Sequence, residues 1–161
     1  MTIVSNTSPI TNLAAVDQLG LLQQLYGNIL IPQAVYHEMV GIGKTVPGAV
    51  EVQTLSWIQT QPIIDSKRVA ELQEDIHLGE AEAIVLALEL GAELLIIDDR
   101  RGRVMASQCG LRVTGVIGVL LEAKIRGLIP AVKPVMEQLI KQVCFRVSSQ
   151  LYADVLQAAG E

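Results

Sequence analysis

Rings are scarce in this chain: of 161 residues only Tyr26, Tyr36, Trp57, Phe145 and Tyr152 are aromatic. A core built without them must be filled by Leu, Ile, Val and Ala, which suits buried parallel strands covered by helices. The same scarcity weakens any scheme in which nucleic-acid bases stack on exposed rings. Two cysteines, Cys109 and Cys144, form no spaced motif, so neither a disulfide framework nor a cysteine zinc site is expected. No charged-then-apolar leader opens the chain, which predicts a cytoplasmic protein. Hydrophobic residues make up 50% of the sequence, yet no uninterrupted apolar run approaches the roughly 20 residues a membrane helix needs. The length predicts one domain spanning residues 1–161, soluble and without a membrane partner.

Positive charge is also in short supply, with 12 Lys and Arg against 17 Asp and Glu. The shortage is uneven. Residues 1–99 hold 3 basic and 13 acidic side chains, and residues 100–161 hold 9 and 4. An acidic site beside a basic flank suits a metal-dependent enzyme acting on a polyanion; mutual attraction of the two halves within one fold accounts for the same asymmetry.

Apolar stretches recur with a polar turn and a helix start behind each. Thr2-Ile3-Val4 reads as a buried strand before a helix opened by Ser8-Pro9. Asn28 to Ile31 repeats the pattern before a helix from Pro32 to about Val40, and Leu94 to Ile97 repeats it before a helix from about Arg100 to Gln108. Strand, turn and helix in repetition predict a parallel sheet with right-handed crossovers. Gly41 to Gly48 reads as a loop, and residues 61–77 are polar and weakly patterned. Further helices are expected over Gly115 to Lys124, from Pro130, and from a Ser148 cap through Ala158.

Placed on that scaffold, several acids fall at one edge of the sheet. Asp98 and Asp99 follow a fully apolar strand, at the carboxyl edge where open α/β sheets hold ligands, and either one could instead cap the next helix. Glu80 leads the apolar stripe Ala83, Ile84, Ala87 and Gly91, whereas Glu82, Glu89 and Glu93 make a solvent stripe; Glu80 is also placed to interact with the dipole of its own helix. Glu38 shares a face with Ala34 and Val35, where a charge needs a partner or a metal. Asn6, in the turn after the first strand, is a fifth candidate with an amide in place of a carboxylate. The chemistry that unites such a set is phosphodiester hydrolysis assisted by Mg²⁺ or Mn²⁺. Arg100, Arg101 and Arg103 are candidates to grip flanking phosphates, or else to pair with the neighbouring acids.

Other motifs fail. Gly43-Lys44-Thr45 lacks both the preceding strand and the leading glycine of a phosphate-binding loop, and Pro47 stops any helix behind it. The Asp98-Asp99 pair comes too late in the chain for a phospho-acceptor receiver domain. His37 and His77 are isolated and read as ordinary polar or capping residues.

With these residues in place the chain resembles the PIN-domain nucleases over nearly its whole length. Val4 to Ser8 is similar to that family's first strand and turn, Ile31-Pro32 to Val40 carries the second acid as Glu38, Gly79 to Gly91 the third as Glu80, and Leu94 to Asp99 the fourth as Asp98 with Asp99 beside it. The segments Gly-Glu-Ala-Glu-Ala, Ile-Asp-Asp-Arg-Arg-Gly-Arg and Val-Thr-Gly resemble those of prokaryotic PIN-like proteins akin to the toxin ribonucleases of toxin and antitoxin pairs. The resemblance implies an α/β/α three-layer sandwich with a central parallel sheet, RNA cleavage dependent on Mg²⁺ or Mn²⁺, frequent homodimers and, for toxins, a small antitoxin partner. It also implies a metal held by Glu38, Glu80, Asp98 and Asn6, with Asp99 completing the catalytic set and Thr7 or Ser8 positioning water or substrate. Two departures stand out: Asn6 replaces the family's first Asp, and Ile96 stands where many members have Ser or Thr. The rival reading is a catalytically weak PIN-like module that binds RNA or protein.

Overall fold

The structure is a computed structural model that describes residues 1–41, 43 and 45–161. Ile42 and Lys44 lie outside the described residues, and with them the middle of the Gly41 to Gly48 loop and of the rejected Gly43-Lys44-Thr45 motif.

Five parallel strands form the central sheet: β1 (Ile3–Ser5), β2 (Ile29–Pro32), β3 (Ile58–Gln61), β4 (Leu94–Ile96) and β5 (Val113–Thr114), in the order β3-β2-β1-β4-β5. Short parallel strands need both faces covered, and the alternation supplies this. Ile3 and Ile96 face one apolar core, while Val4, Leu95 and Ile97 face the other. The first core is closed by α1 (Thr7–Ala15), α2 (Gly20–Tyr26), α8 (Val116–Ile125) and α9 (Lys133–Gln142), with help from α3 (Gln33–Met39), α4 (Ala49–Thr54) and α10 (Ser149–Ala158). The second is closed by α5 (Ser66–Leu72), α6 (Leu78–Leu90) and α7 (Arg100–Gln108). The result is the expected α/β/α three-layer sandwich. No helix among the described residues is long and apolar enough to cross a membrane.

Strand register brings two turns together at one end of the sheet. Ser5 pairs with Ile96 across β1 and β4, and the Asn6 N–H donates to the Ile96 carbonyl at 2.9 Å. The first residues beyond both strands therefore emerge side by side. Because β2 lies on one flank of β1 and β4 on the other, the connections diverge there and leave a crevice at the carboxyl edge.

Several boundaries differ from those read in the sequence. The first helix begins at Thr7 with Asn6 in the capping position, not at Ser8-Pro9. Pro32 closes β2 and α3 starts at Gln33, while the helix expected from Pro130 starts at Lys133 with Pro134 in its first turn. The polar stretch 61–77 contains α5, capped by Asp65, whose Oδ1 accepts the Arg68 N–H at 3.0 Å. Edge strand β3 has Ile58 as its one apolar residue, with Gln59 and Thr60 exposed, and so carries little apolar signal. The Ser148 cap is as expected, accepting the Leu151 N–H at 3.1 Å.

Candidate metal centre

Asn6 is buried, 4% exposed, at the carboxyl end of the central strand. An asparagine at this point of a helix ordinarily caps it through its side-chain oxygen, a contact worth roughly 0.5–2 kcal/mol. Asn6 makes no such bond. Its Oδ1 is shut off from solvent and receives no hydrogen bond.

Asp98 follows neighbouring β4. Its Oδ1 accepts the Val116 N–H at 2.9 Å, and its Oδ2 is sealed from solvent without a partner. Among the described residues, Asn6 Oδ1 and Asp98 Oδ2 are the two buried side-chain polar atoms left in this state. Burial pushes the Asp98 carboxyl above the ordinary aspartate range, against the opposing pull of the Val116 N–H and the Arg103 guanidinium.

Glu38, near the end of α3, accepts a short hydrogen bond from the Thr7 hydroxyl. Its carboxylate rests against Gly79 in the first turn of α6. Glu80, one residue on, is partly buried, and its Oε2 accepts the His77 N–H at 3.1 Å, closing the start of the helix. Burial raises the Glu80 pKa; the His77 N–H opposes this, and the negative charges of Asp99 and Glu38 reinforce it. Glu80 and Asp99 line a cleft of about 290 Å³ together with Asp75, His77 and Arg101. Asp99 caps α7 through an Oδ2 bond to the Gly102 N–H at 2.9 Å. Of the two readings of the aspartate pair, Asp99 is thus the helix cap at the rim of that cleft, while Asp98 is held at the Val116 amide with its second oxygen sealed from solvent.

These carboxylates are not drawn around a single point: among the described residues no group of three or more His, Cys, Asp or Glu side chains is placed to hold a metal ion. Like charges in one crevice repel, and each acid takes a separate local donor, Thr7, His77, Val116 or Gly102, through one oxygen. The remaining oxygens of Glu38, Glu80, Asp98 and Asp99 accept no hydrogen bond from the described residues.

Glu89 and Glu93 are exposed, as the solvent stripe predicts, while Glu82 is half-buried. Glu82 Oε1 accepts the Ala34 N–H at 3.0 Å, capping α3 from α6, and Glu89 accepts the Ile64 and Asp65 N–H groups. Both acids meet backbone amides far away in the chain, so no local spacing could reveal the role. The arginines divide as well. Arg103 donates to the Ile97 carbonyl at 3.0 Å and stands beside Asp98, whereas Arg100 and Arg101 are exposed. The ion pairs found among the described residues, Lys124–Glu161 and Arg126–Glu122, involve neither. Ser8 is exposed at the head of α1, and its carbonyl accepts the Thr11 hydroxyl.

The chain is thus of the class of three-layer α/β/α proteins built on a central parallel sheet. The sequence matches the family DUF3368, a PIN domain, over residues 2–161, and the chain belongs to that family. No curated protein matches it.

Proposed function

We propose that the protein is a metal-dependent endoribonuclease that hydrolyses RNA phosphodiester bonds with Mg²⁺ or Mn²⁺. The observation that carries this reading is the pair of buried oxygens, Asn6 Oδ1 and Asp98 Oδ2, just past the ends of neighbouring strands, with no donor for either among the described residues. A buried acceptor without a partner costs about 1–3 kcal/mol, and two at one edge of the sheet call for a shared positive ligand. Both are hard oxygen donors of the kind Mg²⁺ and Mn²⁺ take. Asn6 and Asp98 would hold the cation, with Glu38 and Glu80 turning their spare oxygens to it and Asp99 contributing negative charge at the rim. When bound, such a cation supplies the charge that activates water and offsets charge building on phosphorus.

The chain's own groups serve the rest of the reaction. Thr7 fixes the Glu38 carboxylate. Ser8, exposed beside it, can meet substrate or water, and Arg100 and Arg101 present unpaired guanidinium groups to phosphates flanking the scissile bond. Arg103 is held by the Ile97 carbonyl, which suits it to stabilising Asp98 more than to gripping substrate.

Purified protein incubated with RNA is expected to cleave in Mg²⁺ or Mn²⁺ and to stop in EDTA; cleavage that persists in EDTA would count against the proposal. Asn6 and the separated carboxylates favour a second reading, a weak PIN-like module that binds RNA or protein. RNA retention without cleavage in either metal would select it. By its similarity to toxin ribonucleases, the protein is also proposed to act as one domain, as a homodimer, and as the toxin partner of a small antitoxin. A short neighbouring reading frame encoding a DNA-binding protein would support that assignment.

A further inference from the structure

The geometry points to Gly79 and Gly115 as positioning residues for the carboxylates of the candidate metal centre, an inference that rests on the metal-binding reading above. Neither glycine is needed for its backbone conformation. Gly115 is extended, with φ −125°, and Gly79 lies in the first turn of α6; any residue adopts both conformations. Within a helix, Gly is in fact less favourable than Ala by roughly 1 kcal/mol.

Space explains both. A Cβ on Gly79 would stand 2.8 Å from Cδ and Oε2 of Glu38, and nearer still to Oε1. All three of its nearest neighbours belong to that one carboxylate. The group is the far end of a flexible side chain, so a methyl here would displace Glu38 rather than disrupt packing. A Cβ on Gly115 would stand 2.9 Å from Arg103 Nη1 and 3.3 Å from Asp98 Cγ, and nearer still to Asp98 Oδ1. Asp98 has little room to retreat. The Ile97 N–H is bound to the Thr114 carbonyl at 2.8 Å and the Val116 N–H to Asp98 Oδ1 at 2.9 Å, so the Thr114-Gly115-Val116 turn is stapled to the end of β4. Each glycine therefore admits a carboxylate to within contact of the backbone and fixes where its free oxygen lies. This gives a physical role to the glycines of two segments, Gly-Glu-Ala-Glu-Ala and Val-Thr-Gly, whose acids and strand alone do not explain them.

The test compares Mn²⁺ affinity by calorimetry with melting temperature in EDTA for Gly79→Ala, Gly115→Ala and Leu139→Ala, the last a buried core residue of α9, a helix that carries none of the candidate site side chains. Mn²⁺ affinity is expected to fall about tenfold or more in each glycine variant, the scale of loss on disturbing groups that orient metal ligands. Gly79→Ala should melt no lower than the parent in EDTA. Leu139→Ala should melt lower yet bind Mn²⁺ as the parent does, separating destabilisation from misplacement. Glu38→Asp withdraws the carboxylate by one methylene and relieves the contact with a residue 79 methyl. Its loss of affinity in the Gly79→Ala background is therefore expected to be smaller than in the parent. Parent-like Mn²⁺ affinity in both glycine variants, or independent losses for Gly79→Ala and Glu38→Asp, would overturn the positioning role. A parent protein that binds no Mn²⁺ would instead overturn the metal-binding reading itself. If Gly115→Ala does not fold, the coupling of Gly79 to Glu38 decides the matter alone.

Discussion

Asp98→Asn is expected to abolish RNA cleavage while leaving the metal-free protein at least as stable as the parent at neutral pH. The substitution keeps Oδ1 as acceptor for the Val116 N–H and removes the charge that burial disfavours. The sign follows from linkage. With the native pKa raised above the unfolded one, the folded protein binds more protons across the interval between them, so stability declines as pH climbs through it and remains lowered above it. Asp98→Asn escapes that decline. Its melting temperature in EDTA should equal or exceed the parent's at pH 7, with the advantage shrinking as pH falls toward the ordinary carboxyl range and gone below it. Activity moves the other way, by about a hundredfold or more, the scale found when one preorganised electrostatic group is removed from a site. A joint loss of activity and of melting temperature in EDTA would make Asp98 a structural residue instead.

Asn6→Asp is expected to tighten Mn²⁺ binding. It exchanges a neutral amide oxygen for a charged one of nearly the same shape, at a position buried beside the crevice and not engaged in capping α1. Hard cations favour the added charge; a gain of about tenfold corresponds to roughly 1.4 kcal/mol. At limiting metal the variant should cleave RNA faster, and in EDTA it should melt lower, because a second buried negative charge joins Asp98 beyond what the neighbouring Arg103 offsets. Calorimetry gives the direct reading: unchanged Mn²⁺ affinity would mean that the residue 6 side chain does not face the cation.

The sheet was legible wherever strands are apolar on both faces. Ile3, Val4 and Leu94 to Ile97 announce themselves because burial on both sides leaves no polar alternation. Strand β3 escaped notice because it lies at an edge and exposes Gln59 and Thr60, and α5 did because only Val69 of its seven residues is buried. Among the candidate site residues, the local pattern was enough to put Asp98 just past an apolar strand and Glu80 in the first turn of an apolar helix. The tie between Thr7 and Glu38 and the bond from the Val116 N–H to Asp98 depend on contacts between distant segments. No local spacing encodes them. Asn6 was suspected through the position it occupies, whereas its failure to cap α1 is a property of the folded chain alone.

The bond from Glu82 to the Ala34 amide has a further consequence. Glu38 and Glu80 ride on different helices, and in most folds two such supports would drift against each other with thermal motion. Here α3 and α6 are packed together and pinned by a carboxylate two residues beyond Glu80 that seizes the opening turn of the helix bearing Glu38. Parting α3 from α6 breaks that charge-assisted bond as well as the packing, at a cost of about 1.5–3 kcal/mol for the bond alone, so the gap between Glu38 and Glu80 is braced by a carboxylate that belongs to neither site position.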